Sequence, residues 1–298
     1  MANKQFANRI MPARSLGKSK TWVKYIFTAP SLLFFSIALL IPFFMGINIA
    51  FTDWNGITRD FNYNGIDNFI KMTSDSRLIN PLRNTFILAI IGVIASNLVS
   101  LGMALLFARM KGWFGNLCKL IIFIPCCLSG ILSAFVWKYI FRFVFGALTG
   151  LPSPLGTTTW VIPAIVIIGL WNGAGISMLI YYAALKSIPS ELREAAIVDG
   201  AGIWSVFKNI TIPMLTPAFT ICITLVFTSL LKEFGTVMAA TGGGPARASE
   251  TISMFIYDNL STYNNAGYGQ AVSLAFLVLL IVIGNLMTNF FRKREVDV

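Results

Sequence analysis

The sequence predicts an all-α, polytopic membrane protein with six transmembrane helices, and three observations support this fold class. Of 298 residues, 56% are hydrophobic and only 12% are charged, whereas about a quarter of the residues in an average soluble domain are charged. The charged residues are separated by apolar stretches, several of which reach the ~20 residues that a helix needs to cross a bilayer. The chain has no histidine, and its four cysteines lie in or beside apolar stretches. We therefore expect neither a bound metal nor imidazole catalysis.

Charged residues and loop signals divide the chain into a basic tail, residues 1–24, and a transmembrane domain, residues 25–298. The first, second, third and fifth apolar stretches each have the length of one helix. The fourth and sixth are longer, and turn-forming residues such as those of 151–154 shorten them to one helix each. The predicted helices span residues of about 25–51, 84–108, 118–141, 160–185, 212–231 and 271–291, with a loop at about 186–211.

Lysine and arginine are distributed unequally between the two sets of loops. Fifteen of the 23 lie on the side that carries both termini, and 8 lie on the other side. The positive-inside rule therefore places both termini in the cytoplasm. The net charge of +11 then reflects membrane topology and attraction to anionic membrane lipid, so we expect no nucleic-acid partner.

The loop between the fourth and fifth predicted helices has an unusual composition for a membrane loop. It contains Glu194-Ala195-Ala196, then Asp199-Gly200-Ala201-Gly202, and finally Ile210-Thr211-Ile212-Pro213. Good helix formers followed by two glycines predict a short helix-turn-helix at the membrane surface. Its apolar residues Leu192 and Ile197 suit docking onto another protein. An amphipathic linker that lies in the membrane interface is the alternative interpretation.

This loop resembles the EAA loop of binding-protein-dependent ABC importer permeases, whose pattern continues with a glycine and ends in I-x-L-P; here Ile212 stands where leucine is commoner. The resemblance implies that the loop docks on a separate ATP-hydrolysing subunit. It also implies which residues couple the two proteins: Glu194, Ala195, Ala196, Asp199, Gly200, Ile210 and Pro213.

Four further stretches are similar to the carbohydrate type of this family, and in particular to its maltose-permease-like subunit. They are Thr52-Asp53-Trp54-Asn55-Gly56, Asn64-Gly65-Ile66-Asp67-Asn68-Phe69, Asn84-Thr85 and Thr241-Gly242-Gly243-Gly244-Pro245. The resemblance implies a type I importer fold in the bacterial cytoplasmic membrane, without a cofactor. The implied partners are a second permease, ABC ATPase subunits, an extracellular solute-binding protein and a sugar or oligosaccharide.

The resemblance also implies where the solute passes, at three places in the later helices. The residues are Cys126, Ser129 and Gly130 after Pro125, Asn172 and Gly173 beside Trp171, and Ser229, Leu230 and Glu233 before the glycine run. Asn172 is of interest because it is the only amide in the interior of its predicted helix and has no obvious local use. Serine and threonine in membrane helices often bond to their own helix instead of a ligand. Glu233 has the alternative role of a structural partner for Lys232 or Arg247.

Other classes of protein fit the sequence less well. The chain has no P-loop motif and no nucleophile motif, so it is not expected to be an enzyme or to hydrolyse ATP itself. A secondary transporter or a channel for a small polar solute is the alternative. Secondary transporters bury ionisable residues in their helices, whereas Lys138, Lys232 and Glu233 are expected only at the ends of the predicted spans.

Overall fold

The computed structural model describes residues 21–292, and side chains for 25–291. Residues 1–20 of the predicted basic tail lie outside the described residues. The described part is helical, with turns and one isolated antiparallel bridge between Thr52 and Tyr63. The α-helices are α1 (Thr21–Phe35), α2 (Ile41–Ile49), α3 (Asp67–Ser74), α4 (Ile79–Arg109), α5 (Gly112–Phe123), α6 (Gly130–Tyr139), α7 (Phe145–Thr149), α8 (Val161–Ser187), α9 (Ser190–Val198), α10 (Ile203–Val206), α11 (Ile212–Met214), α12 (Thr216–Leu231), α13 (Gly235–Ala240), α14 (Ile252–Ser261) and α15 (Ala266–Arg292). Short π-helical turns (Ser36–Leu40, Ile140–Val144, Phe207–Thr211) and 3₁₀ turns (Ser76–Leu78, Ile124–Cys127, Pro154–Gly156) continue several of them.

Within the described residues, five helical runs are long and apolar enough to cross a membrane. They are Tyr25–Ile49, Ser76–Arg109, Gly130–Thr149, Val161–Ser187 and Ala266–Phe291. A sixth span results if Ile203–Met214 and Thr216–Leu231, which meet at an angle of 62°, are one bent crossing. The prediction of an all-α membrane protein is therefore confirmed, with five spans, or the predicted six when the bent pair is one crossing. The bend lies near Pro213 and Pro217, two residues that lack a backbone N–H.

The third predicted span, residues 118–141, differs most from the structure. An extended backbone at Leu128 and Ser129 separates the 3₁₀ turn Ile124–Cys127 from α6. The following helix continues through a π-helical turn to Thr149. The expectation that Lys138 ends its span is therefore wrong, because Lys138 lies inside this helix. The spacing of charges locates apolar stretches but does not reveal a break within one.

The chain divides after Ile49 into two compact units. The described part of the first unit is the first span, in which α1 and α2 are joined by the π-helical turn. The second unit is built around α4 and α8, which form its most extensive helix pair. Two side-chain hydrogen bonds connect this pair: Ser100 Oγ donates to Ala174 O at 3.1 Å, and Tyr181 Oη donates to Asn97 Oδ1 at 2.5 Å.

A glycine allows α5 to cross α8 closely. A Cβ atom on Gly175 would lie 2.7 Å from the carbonyl oxygen of Ile122 and 2.9 Å from Cα of Phe123. Both distances are too short for a side chain. Small residues at such crossings let membrane helices pack by van der Waals contact where the hydrophobic effect cannot drive them together.

The stretches 52–56 and 64–69 form one loop, together with the start of α3, that packs on the start of α15. Asn68 Nδ2 donates to Ala50 O at 2.9 Å and to Thr52 O at 2.8 Å. Gly267 N donates to Trp54 O at 2.9 Å, and a Cβ atom on Gly267 would overlap the carbonyl oxygen of Thr52. These two stretches therefore anchor the loop to the last helix.

The Asn84-Thr85 pair does the same for the loop that contains the glycine run. Asn84 Nδ2 donates to Arg247 O and Glu250 O, and Thr85 Oγ1 accepts from Ile252 N at 2.9 Å. The Glu250 side chain is buried in this loop, which raises the pKa of its carboxyl group although Arg247 opposes the shift. The start of α4 is thus fixed to the segment that precedes α14.

Candidate functional site

The predicted coupling loop forms a helix with a defined end. The helix α9 follows Pro189, and all of its residues are exposed except Ala196, which is half-buried. Ala201 N donates to Ala196 O, and Gly200 N donates to Ile197 O. This pair of bonds is a Schellman motif, in which the residue after the helix adopts a left-handed conformation. Gly200 has this conformation, with φ of 82°, and therefore sets the direction in which the chain leaves α9.

The same loop exposes apolar side chains that have no cover within the described chain. Ile197 is 59% exposed, Val198 87% and Ile203 83%. Glu194, Ala195 and Asp199 are exposed on the same segment. Contiguous apolar exposure of this kind is typical of a protein or membrane contact. The other two predicted coupling residues lie apart from this helix, with Ile210 in the π-helical turn Phe207–Thr211 and Pro213 in α11.

Asn172 on α8 bonds to both sides of the break between the 3₁₀ turn Ile124–Cys127 and α6. Its Nδ2 atom lies 3.0 Å from Pro125 O, 3.1 Å from Leu128 O and 3.0 Å from Ser133 Oγ. Ser129 begins the next helix, and its side chain accepts from Leu132 N at 3.2 Å. The expectation that Asn172 has no local use is therefore wrong, since its amide satisfies carbonyl groups that the break exposes. Gly173 beside it is half-buried, with open space where a Cβ would be.

Glu233 caps the short helix α13. Its Oε1 atom accepts from Thr236 N at 2.8 Å, and its backbone oxygen accepts from Thr251 Oγ1 at 2.9 Å. Glu233 forms no ion pair with Lys232 or Arg247. The one salt bridge within residues 25–291 joins Arg77 and Asp75. No sequence signal indicated this bond, because glutamate is not among the residues that favour the N-cap of a helix.

These two elements meet each other. A Cβ atom on Gly130, at the start of α6, would lie 3.0 Å from Thr236 Oγ1 in α13, and one on Gly235 would lie 3.4 Å from the Ile131 side chain. The structure thus brings the break after Pro125 next to the helix that Glu233 caps. The sequence had assigned both places to the solute pathway without a physical link between them.

An open groove of about 450 Å³ runs along the end of α12 at this point. Its walls include Thr228, Ser229, Lys232 and Glu233. Leu230 is not part of its lining and instead faces α4, where Gly92 leaves room for its side chain. Cys126 is half-buried in the 3₁₀ turn before the break. The groove contributes a cation, Lys232, that the predicted set of pathway residues lacked.

Comparison with known proteins finds a family model and relatives that match most of this chain. A family model described as the inner membrane component of binding-protein-dependent transport systems matches residues 96–296. A probable starch degradation products transport system permease protein of Thermoanaerobacterium thermosulfurigenes is 32% identical over 94% of this chain and 97% of its own length. A multiple sugar-binding transport system permease protein of Streptococcus mutans is 27% identical over 86% and 90%.

A solved structure shares the fold. A bacterial alginate ABC transporter, in complex with its alginate pentasaccharide-bound periplasmic protein, contains a chain that superposes with a TM-score of 0.78. The match covers 93% of this chain and 96% of that one at 21% identity.

Replacing Asn172 with leucine should lower stability. The change leaves Leu128 O without its donor, and an unsatisfied buried polar group costs ~1–3 kcal/mol. Thermal unfolding of the purified protein in detergent measures the effect. Ser229→Leu is the control, because Ser229 is exposed and its variant should melt like the wild type. Equal melting temperatures for Asn172→Leu and the wild type would contradict the role of Asn172 at the break.

Proposed function

We propose that this chain conducts a sugar or oligosaccharide across the membrane. The premise is that the chain belongs to the family of binding-protein-dependent transport system inner membrane components. As a permease subunit of such an importer, it would share the pathway with a second permease. An extracellular binding protein would deliver the solute. The relatives named for starch degradation products and multiple sugars, and the fold shared with an alginate importer, support this class of solute.

The observation that carries the proposal is the contact between the helix break after Pro125 and the capped start of α13. Discontinuous helices line solute sites in many transporters, because their ends offer backbone groups inside the membrane. Here the adjoining groove adds the hydroxyls of Thr228 and Ser229 and the carboxylate of Glu233. Every hydroxyl that a sugar removes from water needs such a partner.

We assign the energy source to a separate ATPase that docks on α9. The sequence has no P-loop, and α9 presents Glu194 and Ala195 on an exposed helix next to apolar side chains. A helix that docks in a groove uses an apolar face of this kind. Movement of the ATPase would then reach α8 and α12 through the two ends of the loop.

The orientation that we propose places α9 and both termini in the cytoplasm of a bacterial cell. The excess of lysine and arginine on that side supports it. Cysteines introduced at Ser205 and Asp60, in a background without exposed Cys127, test it. In intact cells a membrane-impermeant thiol reagent should label Asp60→Cys only, and lysis should expose Ser205→Cys. Labelling of Ser205→Cys before lysis would reverse the orientation.

Gly200 is expected to be required for coupling to ATP hydrolysis. Valine at this left-handed position costs roughly 1–2 kcal/mol and redirects the chain after α9. Gly200→Val should therefore reach the membrane and permit ATP hydrolysis by the assembled complex, yet lose most uptake. Gly202→Val is the matched control, since Gly202 has φ of −72° and open space around it. Equal uptake by the two variants would count against the coupling role.

Glu233 is expected to contact the solute with the carboxylate oxygen that is not committed to Thr236. Glu233→Gln keeps an acceptor for the cap but removes the charge. Hydrogen bonds to charged groups are worth about 1 kcal/mol more than neutral ones, so the KM for uptake should rise roughly fivefold. Transport kinetics in vesicles measure this, with Glu233→Leu and Ser229→Leu expected to lose more. An unchanged KM in Glu233→Gln would leave Glu233 as a cap alone.

A further inference from the structure

A second cavity lies at the opposite end of the helices, behind the coupling loop. It has a volume of about 790 Å³ and is enclosed by the ends of α4 and α8 and by the segment from α9 to the π-helical turn after α10. This volume is within the ~300–1,000 Å³ of typical small-molecule sites. The cavity is separate from the groove at Glu233, which shares none of its lining residues.

The polar part of the lining is cationic. Arg109, Lys186 and Arg193 all line the cavity and are exposed. The one salt bridge within residues 25–291 joins Arg77 and Asp75. No carboxylate of that part of the chain therefore lies within 4 Å of these three cations. Lys186 Nζ approaches Ala108 O at 3.5 Å, which places it near Arg109. Three cations without anionic partners around one cavity attract an anion.

Apolar side chains make up most of the rest of the lining. Leu105 lies one turn before Arg109 on α4, and Leu185 immediately precedes Lys186 on α8. Both helices are transmembrane spans that end beside the cavity. Ile188, Ile197 and Ile203 of the following segment add to the apolar lining. A ligand with both an apolar part and an anionic part fits walls of this composition.

The lining also includes a stacked aromatic pair. Trp204 is 75% exposed and stacks on Phe207, with ring centroids 5.5 Å apart and an interplanar angle of 13°. Tryptophan is enriched where membrane helices meet the headgroup region, since its ring is apolar and its N–H is polar. This pair is therefore in keeping with a cavity at the membrane interface.

We propose that this cavity binds one anionic phospholipid of the cytoplasmic leaflet. The phosphate lies among Arg109, Lys186 and Arg193, and an acyl chain lies against Leu105, Leu185 and the Trp204–Phe207 pair. Because Arg193 belongs to α9, the bound lipid contacts the segment that is proposed to couple to the ATPase. The lipid site rests on the lining of the cavity alone and stands whether or not the transported solute is a sugar.

Lipid retention by the full transporter complex tests the site. The complex is reconstituted with phosphatidylglycerol and phosphatidylcholine, and retained lipid is counted by native mass spectrometry. Removing two cations near a membrane surface costs about 1 kcal/mol each, so Arg109→Gln/Lys186→Gln should bind phosphatidylglycerol roughly 30-fold more weakly. The control Lys111→Gln/Lys208→Gln removes two exposed cations of the same loops that do not line the cavity and should retain lipid like the wild type.

Three results of the retention experiment would overturn the proposal. One is equal retention by the two double variants, which would mean that surface charge in general holds the lipid. Another is equal retention of phosphatidylcholine by the wild type, because the cations would then have no role. The third is displacement of the lipid by added inorganic phosphate, which would assign the cations to a soluble anion. Quenching by brominated phosphatidylglycerol locates the lipid: it should fall in Trp204→Phe, and unchanged quenching would place the lipid elsewhere.

Discussion

Backbone groups inside a bilayer have no water to bond with, so each interruption of a membrane helix must be compensated by the protein. In this chain the interruption follows Pro125, and the compensation is the amide of Asn172 from a neighbouring span. The orientation of α6 depends on this bond. So does the contact of Gly130 with α13 and the groove that Glu233 helps to line. The groove that we propose as part of the solute pathway thus depends on the same hydrogen bonds that stabilise the fold.

The loops at one end of the spans follow the same rule with the same type of side chain. Asn68 donates to carbonyls of the loop after α2, and Asn84 donates to carbonyls near the glycine run. Primary amides are suited to this task because one side chain supplies two donors. The short stretches that resemble carbohydrate permeases are therefore explained, in the case of these asparagines, by how they hold loops to spans.

The opposite face is organised differently. Its loop satisfies its own backbone through the Schellman motif at Gly200 but leaves Ile197, Val198 and Ile203 uncovered. Three cations nearby have no anionic partner within the described residues. The backbone of this surface is hydrogen-bonded, whereas its apolar side chains and its cations lack partners within the described residues. Such a surface is suited to binding other molecules. The ATPase and the anionic lipid that we propose would both contact this segment, because Ile197 and Ile203 also line the cavity.

The sequence by itself determined the class of the protein, because spans are set by the length of apolar stretches and the spacing of charges, which are local properties. It also located the helix α9 and its end, since the glycine that ends α9 is required by a local backbone conformation. Only the tertiary structure decided three features: the break before α6, the extent of the helix around Lys138, and the hydrogen bonds from Asn172 to that break. These features depend on hydrogen bonds between residues far apart in the chain, such as the bond from Asn172 to the carbonyl oxygen of Pro125. A local sequence pattern does not predict such a pair. The same reason explains why Leu230 faces Gly92 although Ser229 lines the groove.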